Sequence, residues 1–314
     1  MTLPSRLRIG TRGSPLARFQ AEAMRDALAA AYPDLAAPDA IEIKVIKTTG
    51  DRVRDRALAE IGGKGLFTKE IEQALQSGAV DVAVHSMKDV PTWLPDGLAV
   101  AALLPRGDPR DALLAPAADS IAGLARGAVV GTASVRRQAQ LLSKRPDLRV
   151  TLFRGNVHTR LRKLAAGEVD ATLLAWAGLV RLGLAAEAGA TPLDPAEMLP
   201  AAAQGAIGAE CRADDERTRR LLAAISHAPT EAAIAAERAL LAALDGSCRT
   251  PIAALAEPDG GGGLRLRALV ARPDGRAVFA TNRRGTVADA AAMGDDAGRE
   301  LRGAAGPSVF DAAE

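Results

Sequence analysis

One local pattern, used four times before residue 182, constrains this chain more than any other feature. A short apolar run ends in a loop, the loop or the helix after it carries arginine, and the chain then reads as helix. Leu7-Arg8-Ile9-Gly10 leads to Arg12, Val129-Val130-Gly131 to Arg136 and Arg137, Val150 to Phe153 to Arg154 and Arg160, and Val169 to Ala175 to Arg181. Strands alternating with helices predict parallel sheets in an α/β fold. Val169 to Ala175 is apolar almost throughout, as a strand covered on both faces requires. The pattern fills two successive regions with a boundary near residues 99 to 105, and a cleft between the two copies is the natural ligand site.

The junctions differ in detail. Ser14 and Pro15 read as N-cap and first residue of a helix through about Ala31, and Ile41 to Ile46 alternates as a strand does. Gly62-Gly63-Lys64-Gly65 precedes a helix with Phe67, Ile71, Ala74 and Leu75 on one face. That loop lacks the spacing of a P-loop and is equally a tight turn or a ligand contact. Arg136 and Arg137 fall in a first helical turn, where positive charge opposes the helix dipole. An anion held by backbone N–H groups, Thr132, Ser134 and both guanidinium forks accounts for that cost; the competing account is a solvated basic face. Further on, Leu199 to Gly208 reads as a connector into a strand, the second half of a hinge if the chain recrosses there. A helix over about Glu231 to Leu244, capped by Thr230, then strands at 264–271 and 277–281 around Pro273-Asp274-Gly275, predict a small final α/β domain.

Val80 to Val84 reads as a strand that runs out at His85-Ser86, leaving Lys88 and Asp89 side by side before Pro91. Alone, that is a solvated turn. The two cysteines are too few for a disulfide framework. Cys211 reads as a half-buried small hydrophobe. Cys248, in Gly246-Ser247-Cys248-Arg249, is set among small and cationic residues that favour exposure and the thiolate, so covalent chemistry and an ordinary loop cysteine stand level. With 40 Lys plus Arg against 38 Asp plus Glu and 3% aromatics, the chain has neither the field nor the stacking surfaces of a nucleic-acid binder. Of the 40 basic residues 33 are arginine, which either reflects genomic composition or supplies planar forks for carboxylates or phosphates. The N-terminus has no apolar core of an export signal and no window approaches a membrane span, so the expectation is a cytoplasmic chain with no membrane partner. No coiled-coil seam or interface stripe suggests more than a monomer, the charge balance argues against a nucleic-acid partner, and two cysteines with 3 His make no evident metal site.

Six motifs in order and spacing resemble those of the porphobilinogen deaminase (hydroxymethylbilane synthase) family. They are Gly10-Thr11-Arg12-Gly13-Ser14-Pro15-Leu16-Ala17, Gly63-Lys64-Gly65-Leu66-Phe67, His85-Ser86-Met87-Lys88-Asp89-Val90-Pro91, Gly131-Thr132-Ala133-Ser134-Val135-Arg136-Arg137-Gln138, Arg154-Gly155-Asn156-Val157 and Gly246-Ser247-Cys248. The likeness runs from about residue 7 to 255. It implies an α/β chain of three domains: two that resemble type II periplasmic binding protein lobes joined by a double hinge, and a small C-terminal α/β domain. The corresponding expectations are residues 1–100 with 200–222, residues 101–199, and residues 223–314.

The resemblance also implies a chemistry. A dipyrromethane cofactor, attached through a thioether to Cys248, primes the addition of four porphobilinogen units with loss of ammonia, and hydrolysis releases 1-hydroxymethylbilane. Asp89 is implied as the catalytic carboxylate, with Lys88 beside it. Arg12, Ser14, Lys64, Thr132, Ser134, Arg136, Arg137, Arg154, Arg160, Arg181 and Gln204 match positions similar to the family's contacts with cofactor and substrate carboxylates. Hand-over of product to uroporphyrinogen III synthase is implied in turn. The chain departs from the family at Glu60, where many members have lysine, and at Gly13, which replaces a longer polar residue.

Overall fold

A computed structural model describes residues 6–52, 65–245, 250–307 and 309. In chain order the elements used below are β1 (Leu7–Arg12), α1 (Pro15–Ala31), β2 (Ile41–Ile46), α2 (Lys69–Gln76), β3 (Val82–Ser86), β4 (Leu98–Leu103) and β5 (Asp111–Leu114). They continue with β6 (Val129–Gly131), α3 (Val135–Lys144), β7 (Arg149–Thr151), α4 (Val157–Ala165), β8 (Ala171–Ala175), α5 (Trp176–Arg181) and β9 (Thr191–Pro192). The last are β10 (Ile207–Arg212), α6 (Glu216–Ala223), α7 (Ala228–Ala243), β11 (Ile252–Pro258), β12 (Gly263–Ala271), β13 (Val278–Thr286) and α8 (Ala290–Ala305).

These form three sheets, ordered β2-β1-β3-β10-β4, β7-β6-β8-β5-β9 and β11-β12-β13. The first two share one plan. In each, the first three strands are parallel, and the strand beside the third is antiparallel to it and arrives from the other sheet's stretch of chain: β10 in the first, β5 in the second. The chain therefore passes from the first sheet to the second after β4 and back before β10. It divides into two compact units. One includes 65–107 and 206–231; the other includes 108–205 together with the C-terminal sheet and its helices.

The first unit buries Leu7, Ile9, Met24, Leu28, Val82, Val84 and Ile207 between its sheet and α1. β8 is buried along Ala171 to Leu174, which is why its sequence is apolar without alternation. The C-terminal sheet packs Leu266, Ala268 and Val270 against α7 and α8. Thr230 does not cap α7. The helix starts earlier, at Ala228, and the Thr230 hydroxyl instead accepts from the Arg106 backbone N–H at 3.1 Å. Cys211 lies within β10 and is fully buried rather than half-buried. Among the described residues no helix is long and apolar enough to cross a membrane.

Candidate active site

In the first unit, β3 runs two residues beyond the apolar stretch. His85 continues the ladder because its Nε2 meets the Glu210 carboxylate of β10 at 3.0 Å inside the protein, and Ser86 accepts from the Gln20 amide of α1 at 2.8 Å. A single 3₁₀ turn follows, Met87 to Asp89. Its first residue is pinned twice. The Met87 N–H donates to Ala206 O at 3.1 Å, and its side chain fills the space over Gly208, where a Cβ would lie 2.1 Å from the sulfur. With Met87 buried, the next two side chains turn outward: Lys88 is exposed and Asp89 half-buried. Among the described residues the Asp89 carboxylate takes no hydrogen bond or ion pair. A carboxylate with unused acceptor sites at a strand's carboxyl end is well placed to receive N–H donors from a ligand.

Arg12 closes β1 in the same unit. Its guanidinium lies 4.0 Å from the centre of the Phe67 ring, a cation–π contact that orients a half-buried side chain. Ser14 caps α1, its hydroxyl accepting from the Ala17 N–H at 3.2 Å. Lys64 and Glu60 lie outside the described residues.

The second unit gathers the other arginines. Thr132 Oγ1 accepts from the Ser134 N–H at 3.1 Å, and Ser134 caps α3, accepting from Arg137 N at 3.4 Å. The side chains of Arg136 and Arg137 are buried and converge on Asp111, the first residue of β5, which is 0% exposed. Arg136 Nη1 donates to Asp111 Oδ2 at 2.6 Å and to Leu199 O at 2.7 Å. Arg137 reaches Asp111 Oδ1 through Nη2 at 2.7 Å and Leu173 O through Nη1 at 2.8 Å. Gln204 Nε2 adds a bond to the same Oδ1 at 3.0 Å and another to Pro109 O at 2.7 Å. Burial alone would raise the Asp111 pKa; the two guanidinium charges and these donated hydrogen bonds outweigh it and hold the carboxyl well below the usual range.

More positive charge stands close by. Arg160 donates from Nε to Gly155 O at 2.9 Å, and burial, followed by the neighbouring Arg137 and Arg154 charges, pushes its pKa down to about 10. Arg181 Nη2 donates to Gly205 O at 2.6 Å, and burial lowers its pKa as well. Arg137 and Arg154 thus each set positive charge against Arg160. Two buried guanidinium groups on one buried carboxylate, with Arg160 close by, fit a ligand that brings carboxylates of its own, as a dipyrromethane group does.

Of the two cysteines, Cys211 is inert: burial, with help from Asp215, pushes its thiol up to about 11. Cys248 lies outside the described residues. No group of three or more potential metal ligands occurs among the described residues. Sequence reasoning singled out the arginines but missed Asp111. An acid opening an apolar strand looks like a surface residue until its partners, 25 and 26 residues later, are brought to it.

Two family descriptions match the chain. Residues 7–220 match "Porphobilinogen deaminase, dipyromethane cofactor binding domain" and residues 232–303 match "Porphobilinogen deaminase, C-terminal domain". The porphobilinogen deaminase of Paracoccus denitrificans is 58% identical over 305 residues, covering 97% of this chain and 96% of the relative. The chloroplastic porphobilinogen deaminase of rice (Oryza sativa subsp. japonica) is 55% identical over 309 residues, covering 98% and 86%. That of Nitrobacter hamburgensis is 55% identical over 302 residues, covering 96% and 94%. The chain belongs to the porphobilinogen deaminase family.

Proposed function

We propose that this transferase joins four porphobilinogen units to a dipyrromethane group carried by Cys248, with Asp89 as the catalytic carboxylate and the arginines of the second unit as the carboxylate clamps. Membership of the family makes the chain a transferase acting on porphobilinogen in tetrapyrrole biosynthesis, with a dipyrromethane cofactor. The residue roles are our reading. At each addition the aminomethyl carbon of porphobilinogen forms a bond to a pyrrole α-carbon, ammonia leaves, and the α-carbon's proton is lost; water finally releases 1-hydroxymethylbilane. When bound, the dipyrromethane group supplies the α-carbon from which the chain is extended. Cys248 is the assigned attachment because the other cysteine is buried with its thiol pushed up to about 11.

Asp89 accepts pyrrole N–H groups, passes a proton to the departing amine nitrogen and balances the positive ring that results. Lys88, exposed beside it, contacts the carboxylates of the growing chain. Arg12 and Lys64 in the first unit, and Arg136, Arg137, Arg154, Arg160 and Arg181 in the second, take acetate and propionate groups. Thr132 and Ser134 add neutral donors, Gln204 supports the same cluster through its bonds to Asp111 and Pro109 O, and Ser14 holds the helix that follows Arg12. In this reading residues 1–100 and 200–222 form the catalytic lobe, 101–199 the anion-binding lobe and 223–314 the cysteine-bearing domain, with the two crossings as a double hinge. The enzyme acts as a monomer in the cytoplasm and passes its product to uroporphyrinogen III synthase.

The observation that carries the proposal is the convergence of Arg136 and Arg137 on one buried carboxylate, Asp111, with Arg160 close enough to Arg137 to feel its charge: more guanidinium groups than acids gather there, an arrangement suited to binding anions. Asp89→Asn tests it. The variant should fold and consume porphobilinogen at least about 10²-fold more slowly; turnover close to wild type would take Asp89 out of the mechanism.

A further inference from the structure

We propose that Asp111 is a positioning residue for the reaction: from behind α3 it fixes Arg136, Arg137 and Gln204 in one buried clamp whose surplus positive charge takes a carboxylate of the pyrrole chain. The proposal rests on the reading just given for the arginines. Three separated stretches meet at this one side chain. Arg136 and Arg137 come from the first turn of α3, Gln204 from the segment before β10, and Asp111 itself begins β5. Both carboxylate oxygens are engaged, Oδ2 by Arg136 and Oδ1 by Arg137 and Gln204. The carboxylate therefore sets where each guanidinium plane points, which a backbone carbonyl accepting one bond does not do.

The charge count gives the clamp its selectivity. Two buried guanidinium groups face one buried carboxylate, so the cluster by itself is short of one negative charge. Without Asp111 two cations would face each other uncompensated, and a small mobile anion would serve them as well as a carboxylate fixed on a pyrrole ring. With Asp111 present, one charge is left to satisfy, at a place and orientation set by the protein. The clamp thus favours a rigidly held carboxylate over free anions.

Holoenzyme carrying Asp111→Asn, a substitution of nearly equal shape, separates positioning from simple structural support. Steady-state kcat/KM for porphobilinogen and inhibition by inorganic phosphate are measured together, with intact mass as a check on the cofactor. The expected result is a fall in kcat/KM of at least about 10-fold, with phosphate inhibiting about 5-fold more tightly because both guanidinium groups are then free to close on it. A purely structural role lowers the melting temperature and leaves both kinetic constants of the folded protein alone; that result overturns the proposal. If the Asn variant does not fold, Gln204→Leu removes the bonds to Asp111 and Pro109 O and no charge. It should lower kcat/KM with phosphate inhibition unaltered, and an unaltered kcat/KM overturns the clamp. Wild type without the mass of two extra pyrrole rings would remove the functional reading itself. Wild type with that mass beside an unaffected Asp111→Asn variant removes the clamp alone.

Discussion

At the scale of single residues, the arginines that the sequence marks as alike have different partners. Arg136 is buried and tied to Asp111 and to Leu199 O, whereas Arg154 is half-buried on the loop before α4. Removing Arg136 breaks a buried ion pair, a change that costs about 3 kcal/mol. Arg154→Ala is the cleaner probe. It should slow chain assembly about 10-fold or more with the melting temperature close to wild type, and it should raise the Arg160 pKa by removing one of the charges that depress it. Arg136→Ala should lower both the assembly rate and the melting temperature. Assembly kinetics in Arg154→Ala matching wild type would return that residue to a solvated surface role. The basic residues were legible in the sequence because guanidinium groups at helix starts are locally unfavourable. Their acid was not, since nothing along the chain marks Asp111 as buried.

At the scale of elements, local signals placed most of the framework. Ser14 and Pro15 start α1, and β2 has the bounds its alternation suggests. The sequence reading fell short where tertiary partners extend an element. β3 continues through His85 and Ser86 because Glu210 and Gln20 satisfy those polar side chains, and α7 starts at Ala228, with the Thr230 hydroxyl meeting the Arg106 N–H and the His227 ring. Gly208 shows how one element positions another. Its bare Cα lets Met87 seat against β10, and that seating holds the turn bearing Lys88 and Asp89. Gly208→Ala forces the Met87 side chain aside. The expected outcome is a kcat about 10-fold lower with the protein still folded. If kcat is unchanged, the turn is held by the backbone bond to Ala206 alone.

At the scale of the whole molecule, two sheets follow one strand plan, the first completed by β10 once the chain returns, and the third sheet falls with the second in one compact unit. The segment before β10 is fastened to its own unit at nearly every step. Leu199 O accepts from Arg136 and Gln140, Pro200 O from Ala254 N–H, and Gly205 O from Arg181, while Ala203, at a positive φ of 61°, donates its N–H to buried Glu237. Fixing a left-handed alanine costs about 1 kcal/mol, offset here by a charge-assisted hydrogen bond. The repeated set of three parallel strands was legible from alternation; the antiparallel strand beside each set, and these fastenings made by residues far apart in sequence, were not. The account as a whole stands on a covalent primer at Cys248. Intact mass spectrometry of active, purified protein is its most direct test. The account expects a mass above that of the 314-residue sequence by two pyrrole units, with the increment absent in Cys248→Ala and retained in Cys211→Ala. Active wild type at the bare sequence mass, or an increment that survives in Cys248→Ala, would contradict it.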